Sequence, residues 1–225
     1  RHSAGHMQTF QAELRRRTDE IPRLSSFILE KSAESIAGLW NSEREVDCAE
    51  VLRSTAAEVA LAVADEVRGK LSRTQELLQQ ELSRAATLLR SADFPREEDF
   101  QALAEMPIFH MNRQSEHVPR PIAGGLGKWF RVQAAVRILS PYEPVLKQAL
   151  ESFSRLLYSW GVDASSDLER RFDSFANRYR AQLERLLLDR KRPTVDSDRV
   201  RSDLEDLSKM FVAAIPAADS EAMAS

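Results

Sequence analysis

The sequence has 225 residues, of which 43% are hydrophobic and 30% are charged, and its formal net charge is −3. Apolar residues suffice for one substantial core or two smaller ones, which excludes a disordered chain. No stretch approaches the roughly 18 consecutive apolar residues of a membrane-spanning helix, and a slightly acidic chain has no overall field that would attract nucleic acid. A single cysteine, Cys48, rules out an internal disulfide, which is typical of cytoplasmic proteins.

The residue types predict helices. Only 7% of residues are aromatic, and the long runs consist mainly of Ala, Leu, Glu, Arg and Gln, which favour helices over strands. We therefore expect an all-α protein. The opening heptapeptide RHSAGHM (residues 1–7) has the character of a tag or vector scar, so His2 and His6 are left out of functional arguments and His110 and His117 remain as native histidines.

The first helical half spans residues 8–92. In TDEIPRLSSFILEKSAESIAGLW, Pro22 suits the first turn of a helix. A second pattern runs from Glu43 to about Leu89, and at about 1.5 Å per residue it predicts one very long helix of about 70 Å, which favours an elongated bundle. The apolar residues at helical spacing are Ile21, Leu24, Phe27, Ile28, Ile36, Leu39 and Trp40, and then Leu52, Ala56, Val59, Val63, Val67, Leu71, Leu78, Leu82, Ala85 and Leu89.

Residues 93–131 differ from their surroundings. Asp93 and Pro95 have the positions of a cap and a first turn for a short helix over REEDFQALAEM. An irregular connection rich in proline and glycine follows, and it contains many apolar residues. Irregular segments of this length are either functional or disordered, and this one is too hydrophobic for simple disorder.

Helices return over residues 132–216. Pro141 predicts a helix start, Gly161 predicts its end, and the next helix is predicted to end at DRKRP, where cations suit a helix C-terminus. A last helix is predicted over about 196–215, before a frayed tail at 217–225. The predicted inward-facing residues are Leu146, Leu150, Phe153, Leu157, Trp160, Leu168, Phe172, Phe175, Tyr179, Leu183, Leu186, Val200, Leu204, Leu207, Phe211 and Ile215.

The glycine-rich stretch PRPIAGGLGKWF (residues 119–130) raises the question of a nucleotide site. A P-loop needs G-x-x-x-x-G-K-[ST] between a strand and a helix. Counting back from Gly127 and Lys128, the first glycine position holds Ile122, and the hydroxyl position holds Trp129. We therefore interpret the stretch as a hinge that leads into a helix and uses the backbone freedom of glycine.

Other patterns for chemistry are equally incomplete. His110, His117 and Glu116 match no metal-site spacing. Ser115 lies near His117 but lacks the glycines of a nucleophile elbow. We expect neither catalysis nor a metal nor a cofactor in this chain.

The hydrophobic connection is the candidate contact surface. Within residues 106–131 four cations stand against one carboxylate, Glu116. Apolar and basic groups exposed together are what an anionic membrane surface or a partner groove selects. The alternative is that these apolar groups fill the junction between two helical layers. The candidate contact residues are Met106, Ile108, Phe109, Met111, Ile122, Leu126, Lys128, Trp129 and Phe130.

A second basic stretch, ERRFDSFANRYRAQLERLLLDRKR (residues 169–192), interleaves arginines with aromatic residues. Nucleic-acid contact would use such a pattern, but the acidic residues in and beside it favour a solvated, salt-bridged face.

Two stretches carry a family resemblance. TDEIPRLSSFILEKSAESI resembles the segment that follows the GTPase domain in bacterial dynamin-like proteins, where a helix begins just after an Ile-Pro or Phe-Pro step. LYSWGVDASSDLERRFDSFANRYRAQLERLL is similar to their returning stalk helix, with arginine and aromatic residues at similar spacing. The resemblance covers about half of the chain. It implies a helical neck and stalk without its GTPase domain, with residues 106–130 in place of the membrane-contacting tip, although no individual tip residue matches.

We therefore expect a non-catalytic helical interaction or assembly module, the stalk of a larger dynamin-like machine. The alternative is a stand-alone helical bundle that binds a membrane surface through residues 106–130. We expect a protein partner or self-association, no nucleic acid, no small-molecule substrate, and a cytoplasmic location, peripheral to a membrane in the alternative.

Overall fold

A computed structural model describes residues 2–41, 45–90, 95–96, 100, 105–112, 117–119, 127–190 and 201–206. The helices are α1 (His2–Glu20), α2 (Ser25–Leu39), α3 (Cys48–Leu88), α4 (Lys128–Leu139) and α5 (Glu143–Arg190). Two strands, β1 (Glu45–Asp47) and β2 (His117–Pro119), form one antiparallel pair, and residues 201–206 are helical. The all-α prediction is confirmed.

Tertiary contacts divide the chain into two compact units. The described residues within 1–9, 74–102 and 166–225 belong to one unit, and those within 10–73 and 103–165 belong to the other. Helices α1, α3 and α5 each contribute residues to both units.

The first part of the chain is helical well before Pro22. Helix α1 is followed by a 3-10 turn over Ile21–Leu24, and Pro22 lies in the first turn of that segment, where its missing N–H costs nothing. The buried residues of α1 recur every three or four positions, at Met7, Phe10 and Leu14. Met7, the last residue of the predicted scar, is therefore buried on a helix in the structure.

Helix α3 begins at Cys48, five residues after the predicted start at Glu43. Before it, Val46 in β1 lies opposite Val118 in β2, so part of the connection that we predicted to be irregular is a strand. The Oδ1 atom of Asp47 accepts a hydrogen bond from the backbone N–H of Glu50 at 3.0 Å, which caps the helix. The helix ends before Arg90, whose φ of 49° is left-handed.

The predicted break at Gly161 is wrong, because α5 continues through it for 48 residues in total. A Cβ atom at Gly161 would lie 2.6 Å and 2.7 Å from the two methyl groups of Leu14. Glycine at position 161 therefore fits the close approach of Leu14 on α1 and does not mark a helix end. Among the described residues, α3 has 41 residues, in agreement with the very long helix that the sequence predicts, and α5 has 48.

The predicted apolar positions are mostly buried, with two corrections. Phe27 is 54% exposed and Leu186 is 44% exposed, so neither lies in the core. The fully buried large side chains are Trp40, Tyr142, Phe100, Leu14, Ile21, Ile28, Ile36, Leu52, Leu78, Leu139, Leu146 and Leu150. The predicted short helix after Asp93 lies largely outside the described residues, and of the predicted last helix only residues 201–206 are described.

Candidate interaction surface on helix α4

Helix α4 is held on its inner side by α2. The two helices pack against each other, and Ala135 and Leu139, which are one turn apart, are buried. Phe130 N donates a hydrogen bond to the carbonyl oxygen of Gly127 at 3.0 Å, which closes the first turn. One side of this 12-residue helix is therefore fixed, and the opposite side is presented outward.

The outward side of α4 is apolar at its beginning. Trp129 is 65% exposed and Phe130 is 51% exposed. Their rings contact each other edge to face, with centroids 4.8 Å apart and an interplanar angle of 85°, which is a favourable aromatic geometry. Val136 and Arg137 are also exposed and lie seven residues further on, two helical turns away on the same side. We call Trp129, Phe130, Val136 and Arg137 the α4 outer face. Lys128 is exposed at the beginning of the helix, on the side of buried Ala135.

The charges of α4 are all positive. Its sequence KWFRVQAAVRIL contains Lys128, Arg131 and Arg137 and no carboxylate. Its first turn lacks the acidic residue that helix N-termini favour. Arg131 is half-buried, and its Nε atom is buried without a hydrogen-bond acceptor among the described residues.

The nine predicted contact residues differ in their exposure to solvent. Ile108, Lys128, Trp129 and Phe130 are exposed. Met106 is half-buried. The candidate residues outside the described part of the chain are Ile122 and Leu126.

Two of the predicted contact residues belong to the core. Phe109 and Met111 are buried, and the ring of Phe109 contacts that of Phe153 edge to face at 5.8 Å. The alternative interpretation, in which this segment fills a gap in the helical packing, therefore holds for these two residues. Sequence reasoning also missed Val136 and Arg137, although their spacing of seven residues from Trp129 and Phe130 was a usable signal.

Of the residues considered for chemistry, Ser115 and Glu116 lie outside the described residues, and His110 is exposed. Cys48 is buried at the start of α3. His117 lies opposite Asp47 in the strand pair. Within the described residues no group of three or more His, Cys, Asp or Glu side chains could hold a metal ion. In the same part of the chain, no helix combines the length and hydropathy of a membrane span.

No family model, curated protein sequence or solved structure matches this chain.

Proposed function

We propose that this chain is a non-catalytic helical interaction module that docks on a membrane surface through the α4 outer face. The observation that carries the proposal is the adjacent pair Trp129 and Phe130, which are 65% and 51% exposed. Single exposed apolar residues are ordinary on protein surfaces. Two aromatic rings in contact with each other and with water, at the start of a basic helix, are a feature that binding would explain.

The chemistry of these residues fits a bilayer interface. Tryptophan rings are enriched at the level of the lipid headgroups, where an apolar body and a polar N–H are both accommodated. A helix with an apolar outward side and cations beside it lies in the plane of the interface, with the apolar residues toward the acyl chains. The α2–α4 packing supports this orientation, because it holds the inner side of α4 on the protein.

Vesicle binding tests the proposal. Trp40 and Trp160 are 0% and 8% exposed, so Trp129 is the exposed member of the chain's three tryptophans. A blue shift of tryptophan fluorescence on adding vesicles would report transfer of Trp129 out of water. We expect Trp129→Ser and Phe130→Ser each to weaken co-sedimentation about tenfold, since each removes a large ring from the interface.

Phe27→Ser is the matched control, because Phe27 on α2 is 54% exposed, nearly as much as Phe130. The control should bind vesicles like the wild type, and all variants should keep wild-type circular dichroism and urea midpoints. Absence of vesicle binding, or equal loss in all three variants, contradicts the proposal.

Self-association is a second candidate function, favoured by the end of α5. Leu186 and Leu188 are 44% and 64% exposed, and among the described α5 residues after Tyr179 none is buried. We expect light scattering to show a concentration-dependent mass that Leu186→Gln reduces. A constant monomer mass at high concentration would remove this candidate.

The resemblance to the neck and stalk of dynamin-like proteins would place both candidate functions in a larger protein. In that setting the chain is the helical arm of a larger GTPase, and its long helices transmit orientation between a head and a membrane. The reading frame of the parent gene tests it: a GTPase domain encoded before Gln8 supports the assignment, and a gene that begins at Gln8 contradicts it.

A further inference from the structure

The ionic balance of α4 differs from that of the other helices. In α1, Arg16 lies 2.6 Å from Glu13. In α5, Lys147 lies 2.8 Å from Glu143. Helix α3 likewise holds an internal pair between Arg53 and Glu50. These helices neutralise cations with carboxylates three or four residues away, as exposed helices commonly do.

Helix α4 has no such compensation. It contains no carboxylate, and no described carboxylate lies within ion-pair distance of Lys128, Arg131 or Arg137. Lys128 and Arg137 are also exposed. Within the described part of the chain, neither charge is therefore neutralised by a carboxylate.

One of these two exposed cations lies on the α4 outer face. Arg137 follows Phe130 by seven residues and therefore lies on the same side of the helix. From Lys128 to Arg137 the helix turns by about 900°, so Lys128 lies on the opposite side, in line with buried Ala135. A flat surface that receives the ring of Phe130 would therefore meet the positive charge of Arg137.

The net charge of the whole molecule opposes binding to an anionic surface. The chain has a net charge of −3, so a negatively charged bilayer repels it at long range. At physiological ionic strength, charges further apart than about 8 Å are largely screened. The interaction at the surface is therefore decided by the local charges of α4 and not by the total.

We propose that the α4 outer face selects anionic lipid bilayers, with Arg137 as the residue that carries the selectivity. This inference rests on the proposed membrane docking and adds the class of lipid. The aromatic pair supplies apolar contact with any bilayer, whereas the guanidinium group of Arg137 favours negatively charged headgroups. Each cation near an anionic surface strengthens binding about fivefold.

The experiment compares vesicles of phosphatidylcholine alone with vesicles of phosphatidylcholine and phosphatidylglycerol, using the whole chain. We expect stronger binding to the anionic vesicles, and a decrease as salt is raised. Arg137→Gln should weaken binding to the anionic vesicles about fivefold and binding to phosphatidylcholine by less. Lys128→Gln removes a cation from the other side of the same helix and should have a smaller effect on the anionic vesicles.

Arg155→Gln is the matched control. Arg155 is an exposed cation on α5, with a side chain 79% exposed and 3.6 Å from Glu151, and its removal changes the net charge by the same amount. It should bind anionic vesicles like the wild type or slightly less. If it weakens binding as much as Arg137→Gln, overall charge is responsible and the inference is wrong.

The remaining outcomes separate the two proposals. Equal binding to both kinds of vesicle, with no effect of either glutamine variant, overturns the lipid selectivity and leaves membrane docking in place. Binding to neither kind of vesicle overturns both. Anionic preference that is lost in Arg137→Gln but kept in Arg155→Gln supports both.

Discussion

The interior contact between α1 and α5 and the α4 outer face differ in the exposure of their apolar side chains. At the interior contact, Leu14 is 1% exposed and fills the space over Gly161, and the Ser154 hydroxyl donates a hydrogen bond to the Thr18 carbonyl oxygen at 2.8 Å. On the α4 outer face, Trp129 and Phe130 are more than half exposed.

The charged groups show the same contrast. Glu13 in α1 is shared by Arg16 and Lys70, whereas Lys128 and Arg137 have no ion pair with a described carboxylate. The interior contact is satisfied within the chain, so changes there should alter stability. The α4 outer face leaves apolar surface and charge unused by the fold, so changes there should alter binding.

The largest expected effect on stability comes from truncating a buried side chain. Leu157 in α5 is 0% exposed, and Leu157→Ala removes buried contacts and leaves a cavity, which should lower the free energy of unfolding by about 2–5 kcal/mol. Val136→Ala on the α4 outer face, where the side chain is 37% exposed, should change it by less than about 0.5 kcal/mol. Urea unfolding measures both. Similar losses of unfolding free energy in the two variants would contradict the contrast between the interior and the α4 outer face.

Replacing the mid-helix glycines of α3 and α5 by alanine should change stability by a smaller amount, with opposite signs at the two positions. Gly161→Ala places a methyl group against buried Leu14, so overpacking should outweigh the gain in helix propensity and destabilise the protein by about 1 kcal/mol. Gly69→Ala meets nothing within 4 Å and should stabilise it by up to about 1 kcal/mol. Thermal and urea unfolding give the signs. Stabilisation by Gly161→Ala would show that Leu14 moves freely.

The smallest expected effect depends on pH. Hydrogen bonds from Arg16 and Lys70 lower the pKa of Glu13 from 4.5 to about 2. Because the folded-state pKa lies below that of the unfolded chain, the ionised carboxylate stabilises the fold fully above pH 4.5, and this contribution is lost as the pH falls through about 2.

Glu13→Gln should therefore be less stable than the wild type at neutral pH, and the two should converge in acid. Lys128→Gln, which neutralises a cation with no described ion pair, should follow the wild-type stability at every pH. Urea midpoints measured over a pH series check both curves. A constant difference between Glu13→Gln and wild type down to pH 2 would exclude this linkage.

Much of the fold was accessible from local patterns. The apolar spacing predicted helices where α2, α3 and α5 occur, whereas the predicted helix end at DRKRP lies at the edge of the described residues. The candidate site was found only in part. The sequence indicated the segment that contains Trp129 and Phe130, but it could not separate them from Phe109, which is 8% exposed against Phe153.

The sequence by itself determined that this chain is helical, because the spacing of apolar residues and the choice of helix-forming residues are local properties. Only the tertiary structure decided how individual residues are used. Gly161 looks like a helix end until Leu14, distant in sequence, is placed over it. Val46 and Val118 become a strand pair only when two remote segments meet. The physical reason is the same in each case: burial and charge compensation depend on residues brought together across the chain, which no local pattern specifies.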